Sequence, residues 1–131
     1  MNRILVTLLV LVLLAGCSGG ASASSASAKL RITVWSRGKS GGSVNYTLAC
    51  PRGTGTLPAA RSACSKLRRI GVRSFAPVPA HAACTEIYGG PQIARVSGRF
   101  AGQSIKASFN RTNGCEIARW SKLAFLFPLR S

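Results

Sequence analysis

Apolar and polar positions alternate along this chain in short runs, and those runs predict its elements. Leu30, Ile32 and Val34 alternate with Arg31, Thr33 and Trp35, the period of a half-buried strand. Ser36 to Ser43 is a Gly/Ser/Lys turn, after which Val44, Tyr46, Leu48 and Cys50 resume the alternation. The first two strands therefore form a hairpin. Pro51-Arg52-Gly53-Thr54-Gly55 breaks the second strand, and Pro58 suits the first turn of a helix. Ala60, Ala63, Cys64, Leu67 and Ile70 fall at helical spacing, with Arg61, Lys66, Arg68 and Arg69 facing elsewhere. Gly71 closes that helix as a C-cap.

Val72 to Ala83 is irregular and contains Pro77 and Pro79. Ala94, Val96, Gly98 and Phe100 then alternate with Arg95, Ser97 and Arg99. After the tight turn Ala101-Gly102, Ile105, Ala107 and Phe109 alternate with Lys106, Ser108 and Asn110. This is the clearest hairpin in the chain. Asn113-Gly114 is another turn, Ile117 to Lys122 a short helix, and Leu123, Phe125 and Phe127 a final alternating strand. The expected fold is α+β: an antiparallel sheet of about five strands, two helices on one face, and two disulfides.

The first residues stand apart from that domain. Asn2-Arg3 is a short positive start, and Ile4 to Leu14 is apolar apart from Thr7. The run is too short for a mature membrane span and fits the apolar core of a secretory signal. Leu14-Ala15-Gly16-Cys17 resembles the lipobox of bacterial lipoproteins, which is cut before the cysteine that then receives lipid. Ser18 to Ala28 holds only Ser, Gly and Ala, a composition that cannot bury a core. The expected organisation is a signal peptide over 1–16, a lipidated Cys17 and tether over 17–28, and a folded domain over 29–131. Lipidation would anchor the protein to the outer face of the bacterial membrane without spanning it.

The 131 residues include 18 Lys and Arg against two Glu and no Asp, a formal charge of +16. Such an excess favours anionic surfaces: phospholipid, cell-wall polymer or nucleic acid. Export and the lack of a recognised motif argue against nucleic acid as a partner. Cys17 belongs to the signal, so Cys50, Cys64, Cys84 and Cys115 remain, an even set that reads as two disulfides with three pairings open. Cys50 and Cys64 are near enough in sequence for a bond that would staple the helix to the second strand. No Cys/His spacing suggests zinc, and no cofactor is implied. With one histidine, His81, read as a solvated loop residue, little remains from which to build a catalytic site, so no enzyme is expected.

The stretch Cys84-Thr85-Glu86-Ile87-Tyr88-Gly89-Gly90-Pro91 carries the candidate chemistry. Thr, Ile and Tyr favour extended backbone, and Gly-Gly-Pro ends the segment with turn chemistry. It reads as a substrate-shaped loop held at one end by a cysteine.

The order of features resembles the Streptomyces subtilisin inhibitor family. Pro58-Ala59-Ala60 followed by Ala63-Cys64 resembles that family's helix segment, and Cys84-x-x-x-Tyr88 its reactive loop. Gly98-x-Phe100-x-Gly102 resembles its Gly-x-Trp-x-Gly hairpin, with Phe for Trp, and Asn113-x-Cys115-Glu116 its second loop cysteine. The resemblance implies pairings Cys50–Cys64 and Cys84–Cys115, commonly a homodimer, and inhibition of extracellular subtilisin-like serine proteases. It implies Glu86 as the primary specificity residue and Glu86–Ile87 as the scissile bond, flanked by Thr85 and Tyr88. Three departures accompany it. Gly89-Gly90-Pro91 is one residue longer than the usual Asp-Pro. Glu86 stands where Met, Lys or another large residue is more usual, so either the target has a basic specificity pocket, as a glutamate-specific protease does, or binding is weak. Thr85 replaces the commoner Pro, although Cys-Thr-x-x-Tyr also resembles the reactive loops of Kazal inhibitors. The alternative expectation is a non-inhibitory cationic envelope lipoprotein that keeps this fold and binds anionic surface polymers or lipid.

Overall fold

Strand β1 (Ala28–Trp35) is the strand against which the sheet is laid, in a computed structural model that describes residues 27–129. Cys17, the signal segment and nearly all of the tether lie outside the described residues. Ala28, which composition assigns to the tether, is the buried first residue of β1. It opens the alternation that continues through Leu30, Ile32 and Val34.

β1 pairs antiparallel with β2 (Ser43–Cys50) on one side and with β3 (Ile93–Phe100) on the other. β4 (Gln103–Phe109) pairs with β3, so the order is β2-β1-β3-β4. The β3–β4 turn is two residues, Ala101 and Gly102, both at positive φ (50° and 75°). That conformation matches the twist of the flanking strands. The described residues thus contain four strands, not five.

The missing strand has a clear reason. α2 runs over Gly114–Leu123 and passes directly into a 3-10 turn, Ala124–Leu126. Leu123 and Leu126 are fully buried three residues apart, a helical spacing. Leu123-Ala124-Phe125-Leu126-Phe127 is wholly apolar, so any period can be drawn through it. A second 3-10 turn, Val72–Phe75, lies in the segment read as irregular and sends Phe75 into the core.

α1 (Ala60–Ile70) starts two residues after Pro58, with Ala59 in the left-handed region and no side-chain cap. At 11 residues it is too short to stand alone in water. Its buried residues are Ala63 and Leu67, and a Cys50–Cys64 disulfide ties it to the end of β2 (Cα–Cα 5.6 Å). Arg68 and Arg69 in its last turn suit the negative end of the helix dipole. Gly71 caps it, its N–H bonded to the Leu67 carbonyl.

The core lies on one face of the sheet, beneath both helices. Leu48, Ile32, Val96, Phe100 and Phe109 from the strands meet Leu67, Trp120, Leu123 and Phe127. Phe109 is its aromatic hub, with Phe127 at 5.0 Å between ring centroids and Phe75 edge-on at 6.4 Å. Phe109→Ala should therefore cost about 3–5 kcal/mol, measured by denaturant unfolding with reduction excluded. A loss under about 1 kcal/mol would mean the hub is loosely packed.

Candidate functional site

The segment 84–91 forms no regular structure, and both of its ends are fixed. A Cys84–Cys115 disulfide (Cα–Cα 5.3 Å) joins its start to the first turn of α2. The Thr85 carbonyl accepts a hydrogen bond from the Gly114 N–H at 2.9 Å. At the other end the Gly89 N–H donates to the Arg111 carbonyl at 2.7 Å. Between these two bonds stand Glu86, Ile87 and Tyr88, all exposed.

Their exposure is unusual in kind. Ile87 is 58% exposed and Tyr88 68%, while nearly every other large apolar side chain described is half-buried or buried. Leu129, near the end of the described chain, is the exception at 45%. Two adjacent large side chains held in water on a doubly fixed loop make this segment the candidate contact site. Glu86 beside them has no hydrogen bond or ion pair among the described residues, so its carboxylate is fully available.

The brace comes from residues that the sequence pattern does not single out. The chain over 110–114 leaves β4 and turns into α2. Asn113, read as part of a turn, is the N-cap of α2, its Oδ1 accepting from the Glu116 N–H at 3.0 Å. Asn113 with Glu116 three residues on is the spacing of a capping box, the signal that locates this helix start. Glu116 itself pairs with Arg119 at 2.6 Å. Arg119 also donates to the carbonyls of Ala76 (2.9 Å) and Ser108 (3.3 Å) and lies over the Phe109 ring at 4.5 Å. One guanidinium thus ties α2, β4 and the 76–83 approach to the loop. Arg111 Nη1 donates to Gln92 Oε1 at 3.1 Å, fixing the chain just beyond Pro91.

Glycine allows close approach at two of these contacts. A Cβ on Gly114 would collide with Thr85 Oγ1, and one on Gly89 would lie 2.9 Å from the Ile117 side chain. Gly89 of the longer Gly-Gly-Pro segment is therefore a point of attachment rather than slack.

The loop and the start of β1 lie at opposite ends of the sheet. Ala28 pairs with Cys50 and Phe100, whereas Trp35, at the other end of β1, pairs with Ile93, two residues beyond Pro91. The eight residues of β1 separate the ends by about 23 Å. His81 is exposed and lies before the loop, outside the brace. Among the described residues no group of three or more His, Cys, Asp or Glu could hold a metal ion.

Fold and site together define a small disulfide-braced scaffold that presents one exposed loop. A family model, subtilisin inhibitor-like, matches residues 10–113, and the chain belongs to that family. A second model, prokaryotic membrane lipoprotein lipid attachment site, matches residues 1–18. No curated protein matches the sequence. Among solved structures, Streptomyces caespitosus sermetstatin in complex with Bacillus licheniformis subtilisin aligns at 23% identity with a TM-score of 0.48. That alignment covers 77% of this chain and 99% of the other.

The brace has a direct test. The Gly89 and Gly114 amides should be protected from hydrogen exchange despite their place beside an exposed loop. Gly114→Ala should unseat the bond to Thr85 and raise exchange at Gly89 roughly fivefold, the equivalent of about 1 kcal/mol. Gly42→Ala, in the open β1–β2 turn where a Cβ meets nothing within 4 Å, should leave both amides unchanged. Equal effects of the two substitutions would mean that the bonds do not hold the loop.

Proposed function

We propose that this protein is a lipid-anchored inhibitor of extracellular serine proteases, acting through the 84–91 loop with Glu86–Ile87 as its scissile bond. The observation that carries this reading is the pairing of high exposure at Ile87 and Tyr88 with fixed backbone on both sides of them. A segment that enters a protease cleft adds backbone hydrogen bonds to the enzyme, as an extended substrate does. A segment already fixed loses little entropy on entering, so the contact energy appears as affinity. If the bond is cut, the Cys84–Cys115 disulfide and the Thr85 and Gly89 hydrogen bonds keep the new ends together. Religation then competes with release. The inhibitor itself supplies no catalytic group.

Glu86 sets the target. A carboxylate driven into an apolar specificity pocket without a partner costs several kcal/mol. The matching partner is a protease with a basic pocket, and common subtilisins should be bound weakly. Glu86→Leu should reverse that preference by at least about 3 kcal/mol, roughly a hundredfold in affinity. Melting temperature should stay unchanged, because an exposed loop tip contributes little to folding. The measurement is the inhibition constant of each form against a subtilisin and a glutamate-preferring serine protease. Undetectable subtilisin inhibition by a folded Glu86→Leu protein would mean that the loop is not a working inhibitor.

The match to a lipid attachment site over residues 1–18 supports lipid on Cys17, with the folded part on the outer face of the membrane. Cys17→Ser should abolish incorporation of labelled fatty acid and release the protein from membranes washed at high salt. The salt wash matters, because charge alone holds a cationic protein to an anionic bilayer at low ionic strength. Membrane retention of Cys17→Ser under that wash would contradict lipid anchoring.

A further inference from the structure

The face of the sheet turned away from the helices is a plane of cations. Lys29 and Arg31 of β1, Arg95 and Arg99 of β3, and Lys106 of β4 all point outward from it and are exposed. Serine, threonine and asparagine fill the positions between them. Neither acidic residue reaches this face: Glu116 is paired with Arg119 in α2, and Glu86 stands on the loop. Lys29 and Arg99 are directly opposite in the register, a like-charge cross-strand pair that works against the sheet. Arg99 donates to the Gly102 carbonyl at 2.7 Å and Arg95 lies over Trp35, but these contacts account for two of the five cations, and a ligand would account for the plane.

Trp35 shares the face. The Arg95 guanidinium lies 5.7 Å from its ring, beside a shallow depression that also takes in Thr33, Ser97, Lys106 and Ser108. A flat basic surface with a tryptophan at its margin has the composition of a membrane-interface contact.

We propose that this sheet face docks on the anionic phospholipid surface to which the chain is tethered. Charge complementarity and chain length both favour that occupant. Ala28 follows Cys17 by eleven residues of sequence, so the lipid lies within about 40 Å of the start of β1 even at full extension. The chain joins the plane itself, in the strand that carries Lys29 and Arg31. α1 also bears Arg61, Lys66, Arg68 and Arg69, with Lys66 over the Phe125 ring, but on a convex cylinder rather than a sheet face. A second copy of the protein is a poor occupant, because five cations would meet five. The 84–91 loop stays free in this arrangement. It rests on Gly114 and Ile117 of α2, on the helical side of the sheet. The proposal is independent of whether that loop inhibits a protease.

The test uses the whole mature chain carrying Cys17→Ser, so that only the protein surface binds. Vesicles of mixed phosphatidylglycerol and phosphatidylcholine are compared with pure phosphatidylcholine by co-sedimentation. Binding should require the anionic lipid and shift Trp35 fluorescence, an assignment made with Trp35→Phe. Replacing Arg31, Arg95 and Lys106 together by Gln should weaken binding about a hundredfold, some fivefold for each cation. The same change at Arg61, Arg68 and Arg69 should weaken it less than tenfold. Arg31→Lys with Arg95→Lys should bind as the parent does. If the triple variant fails to fold, Arg31→Gln and Arg95→Gln alone decide, each expected to lose about fivefold. Equal losses from the sheet and helix triples would overturn the proposal, since the charge would then act without a face. Binding to pure phosphatidylcholine as tightly as to the mixture would also overturn it. So would retention on a soluble glycerol-phosphate polymer without vesicle binding, which would assign the face to a wall polymer instead.

Discussion

The short link between the 84–91 loop and the start of α2 is the constraint on which the site depends. One disulfide and one backbone hydrogen bond lie side by side there, from Cys84 to Cys115 and from Thr85 to Gly114. α2 cannot move to relax them. Its start is capped by Asn113, and its far end is buried through Trp120 and Leu123. Stability of the core is thereby passed to an otherwise unstructured exposed segment. Domain and loop are thus one mechanical object, and a change that loosened α2 would loosen the loop.

Charge is distributed so as to respect that object. With two acidic residues in the whole chain, few ion pairs can be made, and one of them is spent at the brace. Glu116 orients Arg119, whose remaining donors hold two carbonyls on separate segments and whose plane covers Phe109. The other acid, Glu86, stands alone at the exposed tip. The remaining described cations have no acidic partner within the fold, and five of them collect on the uncovered face of the sheet. An antiparallel sheet can leave one face to water at little cost. This one leaves a face rich in basic side chains.

The sheet was legible over residues 30–50 and 94–109 because each strand buries one face only. Leu30, Ile32 and Val34 alternate cleanly with polar neighbours, and so do Ile105, Ala107 and Phe109. The same rule fails over 123–127, where five apolar residues in a row carry no period and a 3-10 turn takes the place of the expected strand. Both helices were foreseen, α1 with its start two residues early and α2 with its first turn missed. Tyr88, Ile87 and Glu86 could be picked out from their cysteine and closing turn. Their support could not, because Gly114, Arg111 and Arg119 act through backbone contacts and long-range hydrogen bonds. Periodicity reports burial, and none of these three is buried. Only the Asn113–Glu116 spacing carried a local sign of the brace.

The most direct measurement is the fate of the loop in the presence of a trace of glutamate-preferring serine protease. Mass spectrometry should find a single nicked species, with Ile87 as the new N-terminus and both fragments joined through Cys84–Cys115. Conversion should stop short of completion, and purified nicked protein should return to the same mixture. Cleavage first at another bond, or steady conversion to small fragments, would contradict a braced, substrate-like loop as the working part of this protein.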